Sequence, residues 1–185
     1  MLTYLKNRLK AFRDETKGVV AVEAVIMIPV LFWGYMAMFT YFDAYRQASI
    51  NSKAGYTIAD LMSRETDAIT PVYLDNAYKL FEYLTRSPKP GALRVSVIAW
   101  DENFNFYRFK WSQTRGNVEP LTVSEVRRWD RKLPVMPHNE TVIVVETWST
   151  YYAPFKIGLN DRVIDTFTFT RPRFATQLCW DGPCD

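Results

Sequence analysis

The sequence is poor in the residues on which most enzyme and metal sites depend. It contains one histidine, His138, and two cysteines among 185 residues. Catalytic zinc sites and Ser-His-Asp relays draw on several such side chains, so neither kind of site is supported. The seven glycines form no phosphate-binding loop motif. His138 falls in a proline-flanked loop and is interpreted as a surface residue, and the adjacent acids Asp101 and Glu102 as a solvated pair at a turn. We therefore expect no catalytic residues, no metal and no cofactor, in a protein that is not an enzyme.

Net positive charge is absent outside the amino-terminal leader. Residues 1–18 hold five Lys or Arg and two acids, so they carry the whole net charge of +3, and the remaining chain has 18 residues of each sign. A nucleic-acid-binding domain carries its basic surface on the folded part of the chain, so we expect no nucleic-acid partner. Acids are interspersed in a later group of cations, which favours a solvated helix face over a phosphate site. The cations of that group are Arg127, Arg128, Arg131 and Lys132.

Charge is almost lacking in the segment that follows the leader. From Val19 to Phe42 there are 24 residues with one charged side chain, Glu23. A helix of that length is about 36 Å long and exceeds the hydrocarbon core of a bilayer, which is about 30 Å thick. Because the cations precede the segment, the positive-inside rule predicts a cytoplasmic amino terminus, a single membrane pass and an exported remainder. A cleaved secretory signal fits less well, since its apolar region has about 7–15 residues and ends at a small-x-small site.

The lone carboxylate of Glu23 has two interpretations. In the first, Glu23 lies near the cytoplasmic boundary and its side chain reaches the membrane interface. In the second, the chain is cut between Gly18 and Val19, which leaves a new α-amine one helical turn before Glu23 on the same helix face. The amine and the carboxylate of axially shifted neighbouring helices would then pair and fix the register of assembly. Pro29 removes a helix donor, so we predict a mild kink there, or a point at which the helix bends on entering a filament.

This arrangement resembles the start of the type IV prepilin family. The stretch KGVVAVEAVIMIPVLFW places Glu23 five residues after Gly18 and Pro29 six residues further on. Among prepilins it is most similar to the TadE/TadF-like pseudopilins of tight-adherence (Tad/Flp) pili. The stretches TVIVVETWSTYYAPF and FTFTRPR look like the strands that end TadE-like domains. Ala24 stands where many relatives carry Phe or Tyr, and the chain is longer than major Flp subunits, which points away from a major pilin.

The resemblance implies a minor pilin-like structural subunit that is cut by a prepilin peptidase at Gly18-Val19. Its partners would be other pilin-like subunits, the pilus assembly platform and bacterial inner-membrane lipid, and its exported domain would be periplasmic or part of the pilus. The implied role is in pilus initiation or assembly and in surface adherence. Two alternatives stay open: an uncleaved bitopic scaffold of an envelope secretion complex and, less favoured, an exported enzyme. The sequence distinguishes neither TadE-like from TadF-like nor tip from shaft or base.

The pattern of apolar residues predicts an α+β, pilin-like fold in three parts: a basic leader at 1–18, a transmembrane and extended helix at 19–63, and an exported domain at 64–185. A stripe of small residues along the long helix predicts close approach of another backbone, either the chain's own domain or a partner helix. Helical spacing predicts a helix over VYLDNAYKLFEYLTR and a short one over Thr122–Leu133. Alternating stretches predict four antiparallel strands, the first two forming a hairpin around Asp101-Glu102-Asn103.

The two cysteines stand in the stretch CWDGPC near the carboxy terminus. A redox-active C-x-x-C pair would need closer spacing, and a zinc half-site has no partner residues. The Gly-Pro between them allows a tight closed loop, so we favour a disulfide between Cys179 and Cys184 in the exported part. Trp180 inside this loop could pack on the edge of the sheet.

Overall fold

In the computed structural model, residues 2–14, 18–129 and 132–184 are described. The fold is α+β, as the sequence predicts: the distal part of a long amino-terminal apolar helix packs on a four-stranded antiparallel sheet, and the chain also contains shorter helices. In chain order the elements are α1 Leu2–Asp14, α2 Val19–Ser63, α3 Pro71–Thr85, β1 Ala92–Asp101, β2 Phe106–Arg115, α4 Val123–Val126, β3 Thr141–Tyr151 and β4 Arg162–Thr170.

The strands form one antiparallel sheet in the order β2-β1-β3-β4. β1 and β2 make the predicted hairpin, whose turn ends at Asn105 with a φ of 52°. Asparagine tolerates this left-handed conformation better than most residues. The β1–β2 register shifts between Val97 and Ile98, which marks a β-bulge that the alternating pattern did not predict.

One face of the sheet packs against α2 and α3. Alternate residues of β1 and β3 point to this face because side chains in a strand alternate with a period of two. Residues of α2 spaced three or four apart meet them, as expected for one stripe of a helix. The fully buried members of this core include Ile58 and Met62 of α2, Leu74 and Phe81 of α3, Leu93, Val95 and Val97 of β1, and Ile143 and Val145 of β3.

The opposite face of the sheet is also covered. The segment between β2 and β3, including α4, lays a second apolar cluster on it: Leu121, Val126, Trp129, Leu133 and Met136 meet Ile98, Trp100, Tyr107, Val142 and Val144. As a result β1 is buried at every position. The polar residues of β1 on this face are satisfied in pairs: Arg94 Nε lies 2.6 Å from Glu146 Oε2, and the hydroxyls of Ser96 and Ser112 are 2.9 Å apart.

Helix α4 is shorter than predicted. The sequence predicts a helix over Thr122–Leu133, but α4 covers only Val123–Val126. Its predicted start is confirmed, since the Thr122 amide donates to Glu125 Oε2 at 2.9 Å in a capping box. Trp129 packs edge-on against Phe167 of β4 at 5.2 Å between ring centroids. The helical spacing therefore predicts correctly that Trp129 is buried, but Trp129 lies beyond the end of α4 and contacts β4.

The chain divides into two compact units. One comprises Met1–Asp43 and Pro154–Leu159, and the other Ala44–Ala153 and Asn160–Asp185. α2 contributes residues to both units. In the second unit the small-residue stripe of α2 faces the chain's own sheet: a Cβ on Gly55 would lie 3.2 Å from Thr166 Cγ2. This confirms the first interpretation of the stripe for its distal part, and a partner helix along the proximal part stays a prediction.

Candidate functional site

The predicted cleavage position lies at the junction between two helices. α1 ends at Asp14 and α2 begins at Val19, with Gly18 directly before it. Gly18 is half-buried, and a Cβ built on it would meet no atom within 4 Å. The leader cations of α1 are exposed; Lys17 and the Val19 side chain lie outside the described part of the structure. The backbone at Gly18 is therefore not enclosed by described residues of the chain.

Glu23 projects from the beginning of α2 and is exposed. Its neighbours on the helix are apolar and also exposed, among them Val20, Val22 and Ile26. Within the described residues Glu23 forms no ion pair and no hydrogen bond. A carboxylate in such surroundings is costly once lipid or another apolar helix covers the segment, unless a cation comes with the partner.

The amino-terminal half of α2 is an apolar surface that the described chain leaves uncovered. The most apolar part of Val20–Ser63 is not buried at all by the described chain. Among the described helices, α2 alone is long and apolar enough to cross a membrane. This pattern suits a membrane anchor or a signal sequence, since both place such a helix near the amino terminus.

Pro29 lies inside α2, and the helix is assigned without interruption through it. A proline inside a helix lacks the N–H that would otherwise bond to the carbonyl four residues earlier, here that of Val25. The predicted kink at Pro29 stays a prediction.

The carboxy-terminal segment is tied to both α3 and the edge of the sheet. The structure contains a disulfide between Cys179 and Cys184, with Cα atoms 5.0 Å apart. The Ile69 amide donates to the Cys179 carbonyl at 2.9 Å, and the Asp181 amide to the Ile69 carbonyl at 3.0 Å. On the other side, Trp111 of β2 donates from Nε1 to the Leu178 carbonyl at 2.8 Å, and its ring is tilted against that of Trp180 with centroids 5.6 Å apart. The disulfide loop is thus fixed at the start of α3 and along β2.

The side chains of His138 and Asp101 have ordinary structural contacts. His138 is about half exposed, and its Nδ1 accepts a hydrogen bond from the Glu102 amide at 3.2 Å. Asp101 is buried, and this corrects the interpretation of Asp101 and Glu102 as a solvated pair. Its carboxylate lies 3.3 Å from Arg108 Nε and accepts from the Asn103 amide at 3.1 Å. Asp101 therefore stabilises the hairpin turn, and Glu102 alone is exposed.

The cation group after α4 lies partly on aromatic rings. Lys132 Nζ is 5.2 Å from the centroid of the Phe167 ring, and the Arg127 guanidinium is 5.8 Å from that of Phe106. Arg131 lies outside the described residues. Cation–ring contacts of this kind stabilise the charges of Lys132 and Arg127 without a phosphate ligand.

The sequence-predicted positions fall in two places. Gly18 directly precedes α2 and Glu23 and Pro29 lie in its first three turns, whereas Cys179 and Cys184 close a loop beside α3 and β2. Sequence reasoning missed Trp111, which anchors the carboxy-terminal segment, and Phe155 in the β3–β4 connection. A signal for Phe155 was present, since PFKIGL places three large apolar residues between two strands where polar turn residues are usual.

No family model, no curated protein and no solved structure matches the chain. The architecture is pilin-like. It consists of a long amino-terminal apolar helix followed by a four-stranded antiparallel sheet that packs on the continuation of that helix.

Proposed function

We propose that this pilin-like protein is a minor structural subunit of a Tad-type pilus assembly apparatus, matured by a prepilin peptidase. The observation that carries the proposal is the position of the Gly18-Val19 bond. It immediately precedes a continuous helix of 45 residues whose first half is exposed and apolar and whose second half forms part of the sheet domain. A cut at this bond would leave the apolar helix and the domain as one mature subunit.

The surroundings of Gly18 suit an endopeptidase substrate. The peptidase has to bring backbone atoms on both sides of the bond into its site, and a glycine presents no Cβ to obstruct them. No described atom would contact even a Cβ at this position. The basic, exposed side chains of α1 precede the cut, on the side where anionic headgroups of the cytoplasmic leaflet attract cations.

Glu23 is the residue through which one subunit would engage the next. Cleavage would give Val19 an α-amine with an ordinary pKa of about 7.7–8.0, which is mostly protonated at neutral pH. Glu23 follows Val19 by one helical turn, so an axial shift between two neighbouring subunits brings one amine to the other's carboxylate. The exposed position of Glu23 and its lack of an ion pair within the described chain leave its carboxylate open to this contact.

The proposed placement is the bacterial inner membrane, with α1 cytoplasmic and the sheet domain periplasmic. Lipid would cover the apolar half of α2 until other pilin-like subunits and the assembly platform take it up. The role would be in pilus initiation or assembly and in surface adherence. It is a structural role, in which the chain is the substrate of the peptidase.

The test is the amino terminus of the protein isolated from its native cell. Mass spectrometry should show a chain that begins at Val19. A Gly18→Leu variant should stay at full length, whereas a Gly34→Leu variant, which alters another uncrowded glycine of the same apolar stretch, should be processed normally. A native chain that still begins at Met1 or Leu2 would overturn the proposal and favour an uncleaved bitopic scaffold of an envelope secretion complex.

A further inference from the structure

The connection between β3 and β4 belongs to the same compact unit as the apolar half of α2. Residues Pro154–Leu159 are grouped with Met1–Asp43, apart from the strands that the connection joins. The ring of Phe155 meets Phe39 of α2 edge-on, with centroids 6.3 Å apart. Gly158, at a φ of +77°, lies so close to α2 that a Cβ there would be 3.5 Å from the Tyr41 hydroxyl.

The loop presents apolar side chains that this contact does not cover. Phe155 remains 39% exposed although it packs on Phe39, and Ile157 and Leu159 are half-buried. Lys156 between them is exposed. Beside Phe155 a cavity of about 290 Å³ opens along α2, and apolar or aromatic side chains line it: Phe32, Tyr35, Met36 and Phe39.

The position of the contact along α2 matches one boundary of a bilayer. Val20 and Phe39 are separated by 19 helical steps, which correspond to about 29 Å. The hydrocarbon core is about 30 Å thick, so if the apolar segment begins at one boundary near Val20, Phe39 reaches the other. Aromatic side chains concentrate at that depth, and exposed Tyr35, Tyr41 and Tyr45 flank Phe39 there.

We propose that the loop Pro154–Leu159 is a second membrane contact of this chain, which enters the interfacial layer of the leaflet that α2 reaches at Phe39. Phospholipid acyl chains would cover Phe155, Ile157 and Leu159 and extend into the cavity beside Tyr35 and Met36. The Lys156 ammonium would lie at the level of the phosphates. The occupant is a lipid bilayer and not a partner helix, because the loop is continuous with the one surface of the described chain that is long and apolar enough to span a membrane.

This inference depends on the membrane placement in the proposed function, so the experiment contains a probe for each. The full chain is reconstituted into phosphatidylethanolamine/phosphatidylglycerol vesicles with an environment-sensitive fluorophore on single cysteine substitutions. The native cysteines stay joined in their disulfide. Phe155→Cys and Lys156→Cys report on the loop, and the second leaves the Phe155–Phe39 contact intact. Leu31→Cys, about 16 Å from Val20, reports on the span. Phe104→Cys is the matched control, since Phe104 is an exposed loop phenylalanine of the other compact unit.

Quenching by spin-labelled lipid is compared with quenching by aqueous iodide. We expect lipid to quench both loop probes and the span probe strongly, and iodide to quench Phe104→Cys strongly. Loop probes that behave like Phe104→Cys, while Leu31→Cys is quenched by lipid, would overturn the loop contact and leave the anchor standing. Loop probes shielded from both quenchers would overturn it, because protein, either this chain or a second copy of it, would then cover the loop. A Leu31→Cys probe open to iodide would refute the membrane placement itself.

Discussion

Gly55 provides the most direct test of how α2 packs on the sheet. It lies on the buried stripe of α2, and an ideal Cβ there would be 3.2 Å from Thr166 Cγ2, 3.5 Å from Thr168 Oγ1 and 3.8 Å from Thr147 Oγ1. The first of these distances is shorter than an ordinary carbon–carbon contact. We therefore compare Gly55→Ala and Gly55→Leu, which add one carbon and four carbons at the same position.

The two substitutions should differ because helix propensity and crowding act in opposite directions. Replacing a glycine inside a helix by alanine stabilises the helix by about 1 kcal/mol. In Gly55→Ala the crowding against Thr166 offsets much of that gain, so the free energy of unfolding should change by less than about 1 kcal/mol. Leucine directs its branched end at β4, where Thr168 is buried and the backbone is paired with β3. Overpacking of this kind costs about 1–3 kcal/mol, so we expect Gly55→Leu to be destabilised by about 2 kcal/mol.

Thermal unfolding of the full chain in detergent micelles, followed by tryptophan fluorescence, measures this difference. Five of the six tryptophans lie in the unit that contains Gly55. A loss of about 2 kcal/mol should lower the melting temperature by about 4–8 °C for a chain of this size. Gly34→Leu is the control, because it has the same change in helix propensity with no atom within 4 Å of the added Cβ. Equal melting temperatures for Gly55→Leu and Gly34→Leu would refute the packing described for α2.

Three further predictions concern other parts of the chain. A Cys179→Ser, Cys184→Ser double variant should stay folded, and chemical denaturation should show a free energy of unfolding lower by about 2 kcal/mol, because closing so short a loop removes little chain entropy. Collapse of the domain would show that the bond holds the fold. Glu23→Ala should be cleaved and inserted normally but should crosslink less to other pilin-like subunits, and undiminished crosslinking would contradict the proposed ion pair. Glu146→Ala should cost about 3–5 kcal/mol in urea unfolding, because it leaves the Arg94 guanidinium buried without its partner, whereas Arg94→Met combined with Glu146→Leu should cost much less.

The elements of the fold were largely predictable because their signals are local. α2 ends at Ser63 as predicted, and α3 begins at Pro71 after the cap Thr70, whose side chain accepts the Tyr73 amide. The four strands and the hairpin turn also fall where the alternating stretches place them. Periodicity, capping residues and turn residues act within a few positions along the chain, so a single sequence contains them in full.

The features that were not predicted depend on contacts between different elements of the fold. Asp101 is buried because Arg108, across the hairpin, pairs with its carboxylate. α4 ends at Val126, and the next buried residue, Trp129, packs against Phe167 of β4. The bulge opposite Val97 and Ile98 leaves an extra residue in β2, so Trp111 faces α2 and α3 whereas Phe109 faces the other cluster. These partners lie on other elements of the fold, so the periodic pattern within one element could not reveal them.

In the candidate site, too, some residues are indicated by local sequence patterns, whereas others depend on a contact with a distant part of the chain. The junction Gly18-Val19, Glu23 and Pro29 are predicted because spacing and charge single them out within one short stretch. The loop around Phe155 was missed, since its relation to α2 joins residues more than 100 positions apart. Its apolar composition was visible in the sequence, but only the contact with Phe39 places it beside the apolar helix.

The exposed half of α2 also constrains the order of events in the proposed function. Removing such a surface from water is favourable by about 25 cal/mol per Å², and either a bilayer or a bundle of like helices can do so. The two environments differ at Glu23. Near the end of a membrane span the carboxylate reaches the interface, whereas inside a bundle it is buried and needs a cation. An uncleaved chain has a peptide nitrogen at Val19 and no amine, so it can occupy the bilayer but cannot supply that cation from Val19. We therefore expect insertion first, cleavage second and assembly last, and an uncleaved Gly18→Leu chain should accumulate in the membrane without crosslinking to its neighbours.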